Sequence, residues 1–267
     1  MGDTSIEWTQ KTWNPVTGCT KVSPGCDHCY AEGIARRFAG GPAFPNGFEV
    51  TLRPERLEQP LRWRKPSRVF VNSMSDLFHQ DVPDDYIARV WAVMAASPQH
   101  TYQVLTKRHG RMRSLLNSHA FRRAVANELA GLDVPFERVR TAQWPPKNVW
   151  LGVSAEDQKR ADLRIPALLE TPAAVRFVSA EPLLGSLNLA TEWAGLDWVI
   201  VGGESGPGAR PMDLLWASSL VNDCHVLGIA PFVKQLGSAH GPHKGGDMAT
   251  WPGELQVREY PRAMQPF

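Results

Sequence analysis

The sequence predicts an α/β fold: a mostly parallel sheet arranged as a full or partial (β/α) TIM-like barrel. Three observations lead there. Short apolar runs alternate with helical patterns along most of the chain. Nearly all of these runs lack the in–out alternation of a half-exposed strand, as strands of a parallel sheet covered on both faces do. Each run also ends in polar or charged residues. In a barrel such ends converge on one mouth; in an open doubly wound sheet, the alternative, they spread along an edge.

The elements follow in order. "RVFVNS" (68–73) is β-branched and aromatic and reads as a buried strand. In 84–98, Ile87, Val90, Trp91 and Met94 fall at helical spacing, Asp84 or Asp85 can cap the start, and Pro98 stops the helix. "TYQVLT" (101–106) is the next strand, with helical material from about 109 to 130. Strands are expected at 148–154, 174–180, 197–203 and 230–235. Helices are expected at 156–170, with an internal Pro166, and at 213–228, ending on Gly228. The strands deliver Asn72, Ser73 and Asp76; Thr106, Lys107 and Arg108; Ser154, Glu156 and Asp157; Ser179 and Glu181; Glu204 and Ser205; and Lys234 and Gln235.

At 267 residues the chain can bury a large core, and it reads as one domain, 1–267, with a C-terminal extension from about 237. No apolar run approaches the ~18 residues of a membrane span. The polar N-terminus is no secretory signal, so the expected location is cytoplasmic. The net charge of +2 hides an asymmetry. Residues 1–147 carry 20 Lys+Arg against 14 Asp+Glu, and residues 148–267 carry 9 against 13. Basic clumps such as Arg36-Arg37 and Lys107-Arg108 read as solvated helix faces or as candidate phosphate contacts.

Three of the four cysteines, Cys19, Cys26 and Cys29, lie within "GCTKVSPGCDHCY". Four cysteines in a long chain without an export signal do not make a disulfide framework; clustered, they point to metal or redox chemistry. Cys26 and Cys29 are spaced to bite one centre, and the Pro24-Gly25 turn can bring Cys19 to it. Three ligands suit an iron–sulfur cube with one open iron. Zinc, completed by His28, His79 or Cys224, is the alternative metal, and unmetallated cysteines are a third reading. Cys224, alone in a helical pattern, reads as a small buried hydrophobe.

The stretch "GCTKVSPGCDHCYAEGIARR" resembles the cluster loop of radical S-adenosylmethionine (radical SAM) enzymes, although the usual first gap is three residues shorter. More of the chain is similar to the phage-encoded three-Cys-motif family of uncharacterised proteins. The stretches that carry this likeness are "WNPVTGCTKVSPGCDHCYAE", "VFVNSMSDLFH", "LTKR", "VWLGVSAEDQ", "VRFVSAEPLLG", "VIVGGESG", "FVKQLG" and "WPGELQVREYP". The resemblance implies a further first strand at 12–18, a helix at 27–40 after the cysteine loop, and the host cytoplasm if the chain is phage-encoded. It implies a [4Fe–4S] cluster on Cys19, Cys26 and Cys29, and reductive cleavage of S-adenosylmethionine to a 5′-deoxyadenosyl radical. The substrate is unknown, with a nucleotide or nucleic acid favoured, and a reductant protein is expected. Tyr30, Ser73, Asp76, Ser154, Glu156, Glu181 and Glu204 are the candidate contacts to S-adenosylmethionine. Asp76 reads equally as a cap, and "SAED" at 154–157 as a helix start. Glu181 reads equally as the partner of Lys107 or Lys234. Arg36, Arg37, Lys107 and Arg108 are the candidate phosphate contacts. The rival class is a non-enzymatic, zinc-stabilised binding protein with a basic nucleic-acid-binding surface.

Overall fold

The computed structural model describes residues 4–262. Seven strands make one sheet in the order β1-β4-β5-β6-β7-β8-β9. The order never reverses, so the sheet has no switch point of the doubly wound kind. The chain forms two compact units. The first takes the chain up to Thr20, Ala31–Leu151 and Glu170–Ala174; the second takes Lys21–Tyr30, Gly152–Leu169 and the chain from Val175 on.

In the first unit β1 (Lys11–Trp13), β4 (Arg68–Val71) and β5 (Thr101–Thr106) pair in parallel, with Trp13 opposite Val71 and Val71 opposite Val104. The strand expected at 12–18 is divided. Pro15 has no N–H to give a ladder, so β2 (Val16–Thr17) starts afresh and pairs antiparallel with β3 (Thr51–Leu52). After a 3₁₀ turn at 24–26 comes α1 (Tyr30–Arg37), which starts three residues later and ends three residues earlier than expected. In α2 (Asp84–Ala96) the positions read from helical spacing, Ile87, Val90, Trp91 and Met94, are all buried. The helical stretch after 109 is two helices, α3 (His109–Asn117) and α4 (His119–Ala130). Ser118 divides them: its backbone is extended and its hydroxyl accepts the Phe121 N–H, an N-cap that opens a new helix. A short α5 (Phe136–Arg140) follows. Phe78, Trp91, Phe121 and Trp144 pack in sequence, ring to ring, through this helical layer.

The strand β6 (Val149–Ser154) is buried along its whole length. In the second unit, α6 (Gln158–Leu169), β7 (Val175–Ala180), β8 (Trp198–Gly202), α7 (Leu214–Leu227) and β9 (Ala230–Gln235) alternate, and β7–β8 and β8–β9 pair in parallel. Gly152 has to be glycine: a Cβ there would lie 2.5 Å from the Phe177 ring. Phe177, Trp198, Phe232 and Tyr260 make a continuous aromatic core. The chain beyond 237 returns to β9, where Val233 N–H donates to Val257 and Glu259 N–H to Pro231. No helix among the described residues is long and apolar enough to cross a membrane.

Candidate functional site

In the first unit, backbone geometry fixes where Cys19 stands. Gly18 has φ +84°, and a Cβ on it would overlap the Glu49 carbonyl oxygen at 2.0 Å, so only glycine fits. Its N–H donates to Met74 O, just past the end of β4, and Cys19 N–H donates to Phe48 O. Asp76 is buried and fully engaged. Its Oδ1 accepts the Phe78 N–H and the Thr106 hydroxyl; its Oδ2 accepts the Lys107 N–H and Arg108 Nη1. Arg108 also reaches the cysteine segment, with Nη1 3.5 Å from Cys19 Sγ and Nη2 donating to the Thr20 carbonyl and hydroxyl. His79, buried, meets the Thr20 hydroxyl through Nε2 at 2.8 Å, while its Nδ1 accepts the Asp81 N–H. Burial, then the Arg108 charge, hold His79 below the usual histidine range, so it is neutral with its proton on Nε2. Ser73 Oγ donates to Asn14 Oδ1.

In the second unit two carboxylates lie beneath the segment that carries Cys26 and Cys29. Glu156 is 0% exposed; Arg164 Nη1 donates to its Oε2 at 3.0 Å and also to the Ser154 carbonyl. Glu156 Oε1 accepts the Gly25 N–H at 3.4 Å. Glu204 is 4% exposed and accepts from the backbone N–H and guanidinium of Arg210 and from His28 Nδ1 at 2.8 Å. Burial alone would raise the Glu204 carboxyl, but the bonds from Arg210 and His28 outweigh it and hold the group at about 2. Glu181 pairs with Lys234 at 2.8 Å and accepts the Ser179 hydroxyl. Tyr30 is half-exposed.

None of the four cysteines is in a disulfide; Cys19, Cys26 and Cys29 are partly exposed and Cys224 is buried. Soft thiol donors of this kind suit an iron–sulfur or a zinc centre. Among the described residues, no three of His, Cys, Asp or Glu are gathered to hold a single metal ion.

The family comparison matches nearly the full chain. A family described as "Protein of unknown function (DUF5131)" covers residues 3–258. The chain belongs to the DUF5131 family. No curated protein and no solved structure matches it.

The candidate residues of this DUF5131 chain separate into two kinds. Asp76, Ser73, Glu156 and Glu204 are buried and bonded within the protein. Ser154 is buried at the end of β6, its carbonyl taken by Arg164. Tyr30 is exposed, and Glu181 is partly so, paired with Lys234 as one of its two readings anticipated. Arg36 is exposed and paired with Glu32, and Arg37 lies over the Phe38 ring. Lys107 lends its backbone N–H to Asp76, and Arg108 is drawn to Asp76 and Thr20. Sequence reasoning missed Arg164 and Arg210. Arg164 left a signal: Glu156, Arg160 and Arg164 recur every fourth residue, one helical face. Arg210 left none, because the 203–211 loop brings it to Glu204.

Proposed function

We propose that the chain is a radical SAM-like iron–sulfur enzyme, with a [4Fe–4S] cluster on Cys19, Cys26 and Cys29. The observation that carries this reading is the set of three partly exposed thiols, none of them in a disulfide, within one eleven-residue stretch, while the fourth cysteine is buried. The cysteines of a cube bind different irons, so they need not meet at a point as the ligands of one ion do. A partial (β/α) barrel is the architecture that goes with this reading, and the unreversed strand order supports it.

When bound, such a cluster supplies one-electron reduction of S-adenosylmethionine. The protein's part is to bind and orient. Arg108 holds Thr20, next to Cys19, and ties it to Asp76 in the segment after β4. Glu156 and Glu204 are committed within the protein, so on this reading Tyr30 and the Glu181–Lys234 pair, which are more exposed, are the second unit's candidate contacts to the cofactor. The substrate we assign is a nucleotide or nucleic acid, on the strength of the basic residues 36 and 37 exposed on the helix that follows the cluster loop.

The test is EPR spectroscopy of anaerobically reconstituted, reduced protein, before and after addition of S-adenosylmethionine. A cluster signal that changes on addition supports the reading. A cluster signal that S-adenosylmethionine leaves unchanged overturns the radical SAM assignment, and no cluster signal overturns the iron–sulfur assignment with it.

A further inference from the structure

The segment 24–28 is held from outside at four of its five residues. Arg210 Nη2 donates to the Pro24 carbonyl at 2.9 Å, and its Nη1 lies 3.4 Å from Asp27 Oδ2. Gly25 N–H donates to Glu156. His28 Nδ1 meets Glu204. Cys26 is the residue left over, and among the described residues no hydrogen bond engages its sulfur or that of Cys29. The fit at Gly25 is close: a Cβ there would stand 3.2 Å from Glu156 Cδ.

A buried carboxylate is costly, and pairing it with an arginine offsets the cost without making the pair a strong source of stability. Two such pairs, Glu156–Arg164 and Glu204–Arg210, converge on one short segment. That placement is explained by what they hold. We infer that Glu156, Glu204 and Arg210 are positioning residues that keep the Cys26–Cys29 segment in its ligand-bearing form before any metal arrives. The inference rests on the proposed function for what the cysteines bind, but not for the clamp itself.

Hydrogen exchange of the metal-free protein tests the clamp directly. The amides of Gly25, Cys26 and Asp27, which donate to Glu156, Ser23 and Pro24, are expected to be protected in the wild type. Removing one charge-assisted tie, by Glu156→Gln or Arg210→Ala, is expected to speed their exchange by about tenfold or more, with β8 and β9 unchanged. Arg210 is one-third exposed, so its variant should fold even if the Glu156 variant does not. Arg210→Lys should restore part of the protection. After reconstitution, the Arg210→Ala protein should take up less iron and give a broadened cluster signal. Unprotected amides in the wild type, or unaltered exchange in the folded variants, would overturn the clamp. Failure of the wild type to take up iron would overturn the cluster reading alone, because the exchange experiment needs no metal.

Discussion

Arg108 Nη1 lies 3.3 Å from Asp76 Oδ2 and 3.5 Å from the Cys19 sulfur, while Nη2 holds the carbonyl and hydroxyl of Thr20. One guanidinium, just past the end of β5, thus ties the start of the cysteine segment to the segment that follows β4. Arg108→Ala removes these bonds and takes a charged donor from a buried carboxylate. The expected loss is roughly 1–3 kcal/mol of stability, measured as a lower denaturant midpoint with an unchanged slope. Arg108→Lys should recover less than half of it, because an ammonium cannot reproduce the planar fork. An unchanged midpoint in Arg108→Ala would show that the tie is idle.

The four thiols should divide three to one. Burial pushes the Cys224 thiol up to about 12, and its side chain is fully covered. In native, metal-free protein at pH 8, a thiol reagent should titrate three cysteines quickly and the fourth only after denaturant is added. Peptide mapping should place the slow thiol at Cys224. Four fast thiols under native conditions would contradict the buried placement.

Glu204 sets an acid limit. Its folded value of about 2 lies below the ordinary 4.5, so its contribution to stability is fully present above the ordinary value and is lost as the pH falls through about 2. Stability of the wild type measured between pH 5 and pH 2 should therefore fall more steeply than that of Glu204→Gln, which has no charge to lose. Parallel curves for the two proteins would mean that the Arg210 and His28 bonds do not hold the carboxylate charged.

Arg36 is 76% exposed, and its bond to Glu32 is a surface ion pair of the kind worth at most about 1 kcal/mol, readily exchanged for a phosphate. Binding to single-stranded DNA or RNA is expected to be weak and to fall several-fold when ionic strength doubles. The double variant Arg36→Ala, Arg37→Ala should flatten the salt slope. An unaltered slope would remove these two residues as phosphate contacts.

The sheet was legible because buried parallel strands are continuous apolar runs; β4 to β9 all fall where such runs occur. Gly228 closes α7 in the left-handed conformation, as its residue type suggested. The short β2–β3 pair was not legible, since two-residue strands carry no periodicity. Nor was the break at Ser118, where a cap interrupts an otherwise continuous helical pattern. At the candidate site the charged groups after the strands were legible, but of their partners only Lys234, for Glu181, was. Glu156 and Glu204 looked like ligand contacts because a carboxylate after a strand is ambiguous until its counterion is known. Arg164 could have been found from its helical spacing, whereas Arg210 depends on a loop path that local sequence does not encode.

Metal counted after anaerobic reconstitution separates a cluster from a zinc site. The wild type should be brown, with about four irons and as many acid-labile sulfides per chain. Cys19→Ala, Cys26→Ala and Cys29→Ala should each abolish the cluster, and Cys224→Ala should keep it. A colourless protein that holds one tight zinc, or iron uptake that survives loss of any one of the three loop cysteines, would contradict the account.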